Sequence, residues 1–227
     1  MIKVENLTKN FDGYLALNNF SMNVKKGSIY GLVGVNGAGK TTVIKHLAGI
    51  IKGDSGSVVI CDAAVYDNIS VKSRVGYVSD DLYFFPQYNL KMLSKFYGKL
   101  HKNWSNEKFT NLLNLLGLDN KRRVGRFSKG MQKQAALALA LSANPDVLLL
   151  DEPIDGLDPI VRKRIFEWII DDVASRQMTV LISSHNLAEI QKIVDRVVWI
   201  DNGKIVGISN IDDIEDIEED FLKLTNN

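Results

Sequence analysis

The turn that follows Ile29-Tyr30-Gly31-Leu32-Val33 constrains this chain more than any other segment. An apolar strand runs into Gly34-Val35-Asn36-Gly37-Ala38-Gly39-Lys40-Thr41-Thr42, and a helix is expected from Lys40 to Ala48. Glycine, four residues, glycine, lysine and a hydroxyl residue form the Walker A pattern of phosphate-binding loops. The glycines let the backbone wrap tightly, so that consecutive N–H groups face the β- and γ-phosphates of a nucleotide. Lys40 adds a point charge, and the helix N-terminus adds a partial positive charge. The Thr41 hydroxyl can ligate Mg²⁺.

A second segment supplies the acids that such a loop lacks. Val147-Leu148-Leu149-Leu150-Asp151-Glu152 is an apolar strand ending in two carboxylates, stopped by Pro153. At the C-terminal edge of a parallel sheet these residues face the ligand crevice. Asp151 is placed to hold the magnesium shell, and Glu152 to polarise an attacking water as a general base.

The remaining periodicity indicates an α/β chain. Residues 1–60 read mostly as strand, with alternation in Phe20-Ser21-Met22-Asn23-Val24. Residues 88–118 carry leucines and aromatics at helical spacing, with Gly117 placed to stop the second helix. From Met131 helices and strands alternate, and Val147–Leu150 and Thr179–Ile182 are continuous apolar runs expected for buried parallel strands. Isoleucines every three residues from Ile211 to Glu219 predict an amphipathic closing helix.

Bulk composition narrows the function classes. Twenty-eight basic and 27 acidic side chains leave a net charge of +1, which exerts no long-range pull on nucleic acid or anionic lipid. No nucleic-acid partner is expected. One cysteine, Cys61, excludes an internal disulfide framework and suits a reducing cytoplasm. No segment approaches the ~20 apolar residues of a membrane span. The apolar patch from Ala135 to Ala143 is closed by Pro145, and the N-terminus lacks a signal-peptide core, so a soluble chain is expected.

With both loops in place, the chain resembles the ABC ATPases over roughly residues 1–210. Phe127-Ser128-Lys129-Gly130-Met131-Gln132 is similar to that family's signature element. Ser128 and Gly130 match it, while Lys129 replaces a glycine and Met131 the usual glutamine. Asp155-Gly156-Leu157-Asp158 looks like the D-loop, with Asp158 as its acid. Ser183-Ser184-His185 resembles the switch loop, whose histidine contacts the γ-phosphate. Phe11 occupies the place of the adenine-stacking aromatic, with Tyr14 a second candidate. After Val75-Gly76-Tyr77-Val78 the family has a glutamine; here Asp80 stands in that position as a candidate metal ligand.

The resemblance implies a P-loop NTPase core with a mostly parallel sheet, an N-terminal antiparallel β-subdomain and a small α-helical subdomain. One ABC ATPase domain is expected over residues 1–227. Residues 1–80 and 145–210 would form the ATP-binding core, 81–144 the helical subdomain and 211–227 the tail. It further implies a homodimer or heterodimer sandwiching two ATP molecules, with Ser128, Gly130 and Met131 acting on the partner subunit's ATP. An integral membrane permease would hold that dimer at the inner face of the cell membrane, cytoplasmic and peripheral. The Leu82-Tyr83-Phe84-Phe85-Pro86 cluster suits contact with the permease or packing of the helical subdomain. A non-transport ABC ATPase acting on ribosomes or DNA is the alternative, but this chain carries neither paired ATPase units nor a coiled-coil insertion. A regulator that hydrolyses little is disfavoured by Glu152 and His185.

Overall fold

The computed structural model describes residues 1–185, 187–214 and 217–225. Strands β1 (Ile2–Phe11) and β2 (Tyr14–Val24) form a hairpin, and β3 (Ile29–Val33) leads through the glycine-rich turn into helix α1 (Lys40–Leu47). Two short strands, β4 (Ser55–Ile60) and β5 (Ala63–Ala64), and a single turn of helix, α2 (Ile69–Lys72), precede β6 (Val75–Val78). Helices α3 (Leu90–Leu100), α4 (Asn106–Leu116) and α5 (Lys129–Ser142) follow. The rest alternates: β7 (Val147–Asp151), α6 (Pro159–Arg176), β8 (Thr179–Ser184), α7 (Leu187–Ile190), β9 (Arg196–Asp201), β10 (Lys204–Asn210) and α8 (Ile217–Thr225).

Two sheets result. One is antiparallel with order β2-β1-β4-β5, and the other has order β10-β9-β3-β8-β7-β6. In the second sheet β9, β3, β8, β7 and β6 run parallel and only β10 joins antiparallel. This is the expected α/β architecture.

Period-two burial explains why α1 lies between the sheets. Tyr30, Leu32, Val147, Leu149 and Leu181 point to one side, where they pack with Val43, Ile44 and Leu47 of α1 and with the antiparallel sheet. Leu148, Leu150, Val180 and Ile182 point to the other side, against α5, α6 and α4. Strands buried on both faces must be apolar throughout, which is the pattern read in β7 and β8.

Local caps set the helix limits. Asn89, Ser105, Ser128 and Asp158 each accept a backbone N–H at the start of α3, α4, α5 and α6. Gly117 ends α4 in the left-handed conformation, φ 65. The C-terminal region departs from the expected single helix over Ile211–Glu219. Ile211–Asp213 is a 3₁₀ turn, and α8 begins at Ile217. The Ile211 N–H donates to the Asp195 carbonyl at 3.0 Å, and Ile211 and Ile214 pack on the core, which holds the chain in that turn. Glu215 and Asp216, within the expected helix, lie outside the described residues. No described helix is long and apolar enough to cross a membrane.

Candidate functional site

Parallel register delivers the site. β8 lies between β3 and β7, pairing Ser184 with Val33 and Ser183 with Asp151. The residues just beyond these three strands therefore share one edge, where α/β folds bind ligands.

The glycine-rich turn is shaped by close approach. A Cβ on Gly34 would meet the Ile200 carbonyl oxygen at 2.1 Å, and Gly39 sits at φ 108, so neither position accepts a side chain. Ala38 is buried, whereas Val35, Asn36 and Gly37 are exposed. Lys40 is 6% exposed, and its Nζ donates to the carbonyls of Gly34 at 2.8 Å and Val35 at 3.2 Å. The same ammonium lies 3.6 Å from Glu152 Oε1.

Asp151 is fully buried. Its Oδ1 accepts from Thr41 Oγ1 at 3.1 Å and from Ser183 Oγ at 2.7 Å, while its Oδ2 is buried without a hydrogen-bond partner. An orphaned carboxylate oxygen in such a place is costly unless positive charge compensates it. Beside a threonine hydroxyl, it fits a hard divalent cation such as Mg²⁺.

Glu152 adopts φ 45, an uncommon left-handed backbone for a residue with a side chain. Its N–H donates to Ser183 Oγ at 3.1 Å, and its carbonyl accepts from Lys133 Nζ at 2.6 Å. The carboxylate Oε2 accepts from the His185 N–H at 3.3 Å and lies 3.0 Å from His185 Nδ1. Asp155 brings a further oxygen, so that ligand atoms of Glu152, Asp155 and His185 lie within 4.8 Å of one another. The Lys40 ammonium beside Glu152 opposes a cation at that trio.

A cavity of about 350 Å³ is lined by Tyr14, Lys40, Thr41, Thr42, Asp80 and Glu152, with Asn36, Gly37 and Gly39 of the turn. Tyr14 donates from its hydroxyl to the Gly37 carbonyl at 3.2 Å. Phe11 does not border this cavity; it pairs with Tyr14 across the β1–β2 hairpin, with Lys9 Nζ 5.2 Å from its ring centroid. Asp80 sits at the rim, 3.2 Å from Lys133 Nζ.

The second group of expected site residues lies apart. Ser128 caps α5, its Oγ accepting the Met131 N–H at 3.2 Å, and Asp158 caps α6 by accepting the Ile160 N–H at 2.8 Å. Gly130 packs so closely on the Gly156 carbonyl that an added Cβ would lie 3.0 Å from it. None of Ser128, Gly130, Met131 or Asp158 borders the cavity around Lys40.

Lys133, and the bonding role of Ser183 within the expected switch loop, escaped the sequence reading. Ser183 joins Asp151 to Glu152, and Lys133 holds the Glu152 carbonyl. Lys133 carried a signal, since it shares a helix face with buried Leu137 and Leu141, where a lysine needs a reason. The role of Ser183 follows only from strand register.

The ABC transporter family model matches residues 17–155. The bacitracin transport ATP-binding protein BcrA of Bacillus licheniformis is 37% identical over 100% of this chain and 72% of its own. The lantibiotic transport ATP-binding protein SrtF of Streptococcus pyogenes is 35% identical over 97% of this chain and 96% of its own. Among solved structures, a dimeric post-hydrolysis ATP-binding cassette bound to ADP and Pi superposes with TM-score 0.83 at 20% identity. It covers 93% of this chain and 99% of the cassette, and this likeness is one of fold. Family match, relatives and a Walker-type site at one sheet edge together place the chain in the ABC transporter family, as an ATP-binding subunit that hydrolyses ATP.

Proposed function

We propose that this subunit energises a separate membrane permease by closing with a second ABC subunit, identical or homologous, over two ATP molecules. The carrying observation is the separation of its two half-sites. Lys40, Thr41, Asp151, Glu152 and His185 are linked to one another by hydrogen bonds and an ion pair, directly or through Ser183, whereas Ser128 and Met131 bond to each other at the start of α5 and to none of these. This arrangement supports a role for the second group at a nucleotide held by another subunit, with Asp158 in the adjoining loop.

Within one half-site the roles follow from position. The backbone of Gly34 to Gly39, the Lys40 ammonium and Thr42 bind the phosphates, and Phe11 stacks on the adenine. Thr41 and Asp151 would hold Mg²⁺ and its waters, while Asp80 stands at the rim, paired with Lys133. Magnesium held there would supply charge neutralisation to the phosphates. Glu152 accepts the proton of the attacking water, and its left-handed turn aims the carboxylate at Lys40 and His185. His185 orients Glu152 by the 3.0 Å contact and serves as the γ-phosphate contact of the switch loop.

Two features support the permease partner. Tyr83 and Phe85 are 79% and 52% exposed, whereas Leu82 and Phe84 pack on the core. Tyr83 also lines a cleft of about 310 Å³ with Tyr77, Phe84, Tyr97 and His101. Exposed aromatics beside a cleft suit a protein contact. The relatives named for bacitracin and lantibiotic transport support an exporter, held at the cytoplasmic face of the membrane by its permease.

Glu152→Gln tests the reading. Hydrolysis should be abolished while ATP binding persists, and size-exclusion chromatography should show a dimer only with ATP. A variant that stays monomeric at saturating ATP overturns the sandwich. Co-purification with a multi-span membrane protein supports the transport role, and its absence from detergent-solubilised complexes opposes it.

A further inference from the structure

Lys133 is a buried cation for which the chemistry above has no use. It is 6% exposed on α5, and its ammonium reaches two groups of the site. Nζ donates to the Glu152 carbonyl at 2.6 Å and to Asp80 Oδ1 at 3.2 Å. A lysine so buried is tolerated only where strong acceptors replace its water.

The two bonds carry different weight. The Asp80 side chain is 56% exposed, so solvent screens that pair. The carbonyl bond is short, buried and charge-assisted. It also falls on the residue whose backbone takes the strained left-handed turn at φ 45. Because α5 starts beside Ser128, a shift of this helix reaches the Glu152 backbone through one bond.

We propose that Lys133 is a positioning residue for ATP hydrolysis. It clamps the Glu152 turn so that the carboxylate faces His185 and Lys40, and it offsets the Asp80 charge at the rim of a cavity that receives a polyanion. The clamp rests on the assignment of Glu152 as general base; the charge offset does not.

Lys133→Met keeps the aliphatic stem and removes both bonds. We expect kcat for ATP hydrolysis to fall about 10- to 100-fold, the range set by a lost charged hydrogen bond. KM for ATP should rise about 2- to 5-fold, because a screened, exposed pair contributes little. Lys133→Met combined with Asp80→Asn should return KM to the parent value while kcat stays low. A purely structural lysine would not produce that split. An unchanged kcat in Lys133→Met sinks the clamp, and a KM still raised in the double variant sinks the charge offset. Should Lys133→Met fail to fold, Lys133→Gln keeps a neutral donor. KM should then rise with kcat nearly kept, and a collapsed kcat at unchanged KM overturns the proposal. Glu152→Gln measured alongside separates the two readings. If it still hydrolyses ATP, the base assignment fails; if it is inactive while Lys133→Met behaves as the parent, only the lysine proposal fails.

Discussion

Ser183→Ala isolates the bond that joins the two acids of the site. The Ser183 hydroxyl donates to Asp151 Oδ1 at 2.7 Å and accepts the Glu152 N–H at 3.1 Å, and the residue is fully buried. Alanine keeps the β8 backbone pairing and removes one oxygen. The Glu152 N–H is then buried without a partner, which costs about 1–3 kcal/mol. Asp151 loses a hydrogen bond to a charged group, about 1.5–3 kcal/mol. One hydroxyl serves both bonds, and neighbouring effects do not simply add. We therefore expect about 3 kcal/mol of destabilisation. For a chain of this length that lowers Tm by roughly 6–12 °C, at about 2–4 °C per kcal/mol. Urea unfolding of the nucleotide-free protein measures the loss directly, with an unchanged m-value showing that the native and unfolded states are otherwise alike. Hydrolysis should slow about tenfold, as a loosened Glu152 samples other orientations. A destabilisation below about 1 kcal/mol would refute the reasoning, because an orphaned buried N–H alone should exceed that.

Two further outcomes are expected. His46 donates from Nδ1 to the Thr42 carbonyl at 2.7 Å and is 2% exposed. Burial holds its pKa below the ordinary histidine value, with Lys9 opposing the charged form and Asp54 favouring it. The unfolded chain, with a histidine pKa of about 6.5, thus binds the proton more readily. The stability from this site is present above that pH and is lost as pH falls through the depressed folded value. Thermal melts between pH 7 and 5 should show a steeper acid-side loss for the parent than for His46→Gln, and parallel curves would contradict this. Phe11→Ala should weaken ATP and ADP alike, by up to about tenfold, if stacking contributes roughly 0.5–1.5 kcal/mol. Isothermal titration that finds no loss in Phe11→Ala and a loss in Tyr14→Ala would move the stack to Tyr14, which already lines the cavity.

Much of this molecule was legible in its residues. Ile29–Val33 is a strand to the residue, α1 starts at Lys40, and Gly117 ends α4 because only a left-handed residue turns the chain there. Such features depend on local chemistry: glycine at positive φ, capping oxygens, and apolar runs long enough for a strand but not a membrane span. The strand–turn–helix at Gly34 to Thr41 and the acids at Asp151 and Glu152 are likewise written in consecutive residues. Their meeting is not. Asp151 reaches Thr41 because β8 lies between β3 and β7, an order that strands apolar on both faces do not specify locally. Strand order also puts Ser183 opposite Asp151, and helix packing alone brings Lys133 to the Glu152 carbonyl. The acidic tail failed as one helix because a tertiary bond to Asp195 outweighed its isoleucine spacing. Local propensity acts over a few residues, whereas a buried hydrogen bond depends on partners brought close by folding. The residue types of the phosphate site are therefore a property of the sequence, and the bonds that aim Glu152 are a property of the tertiary fold.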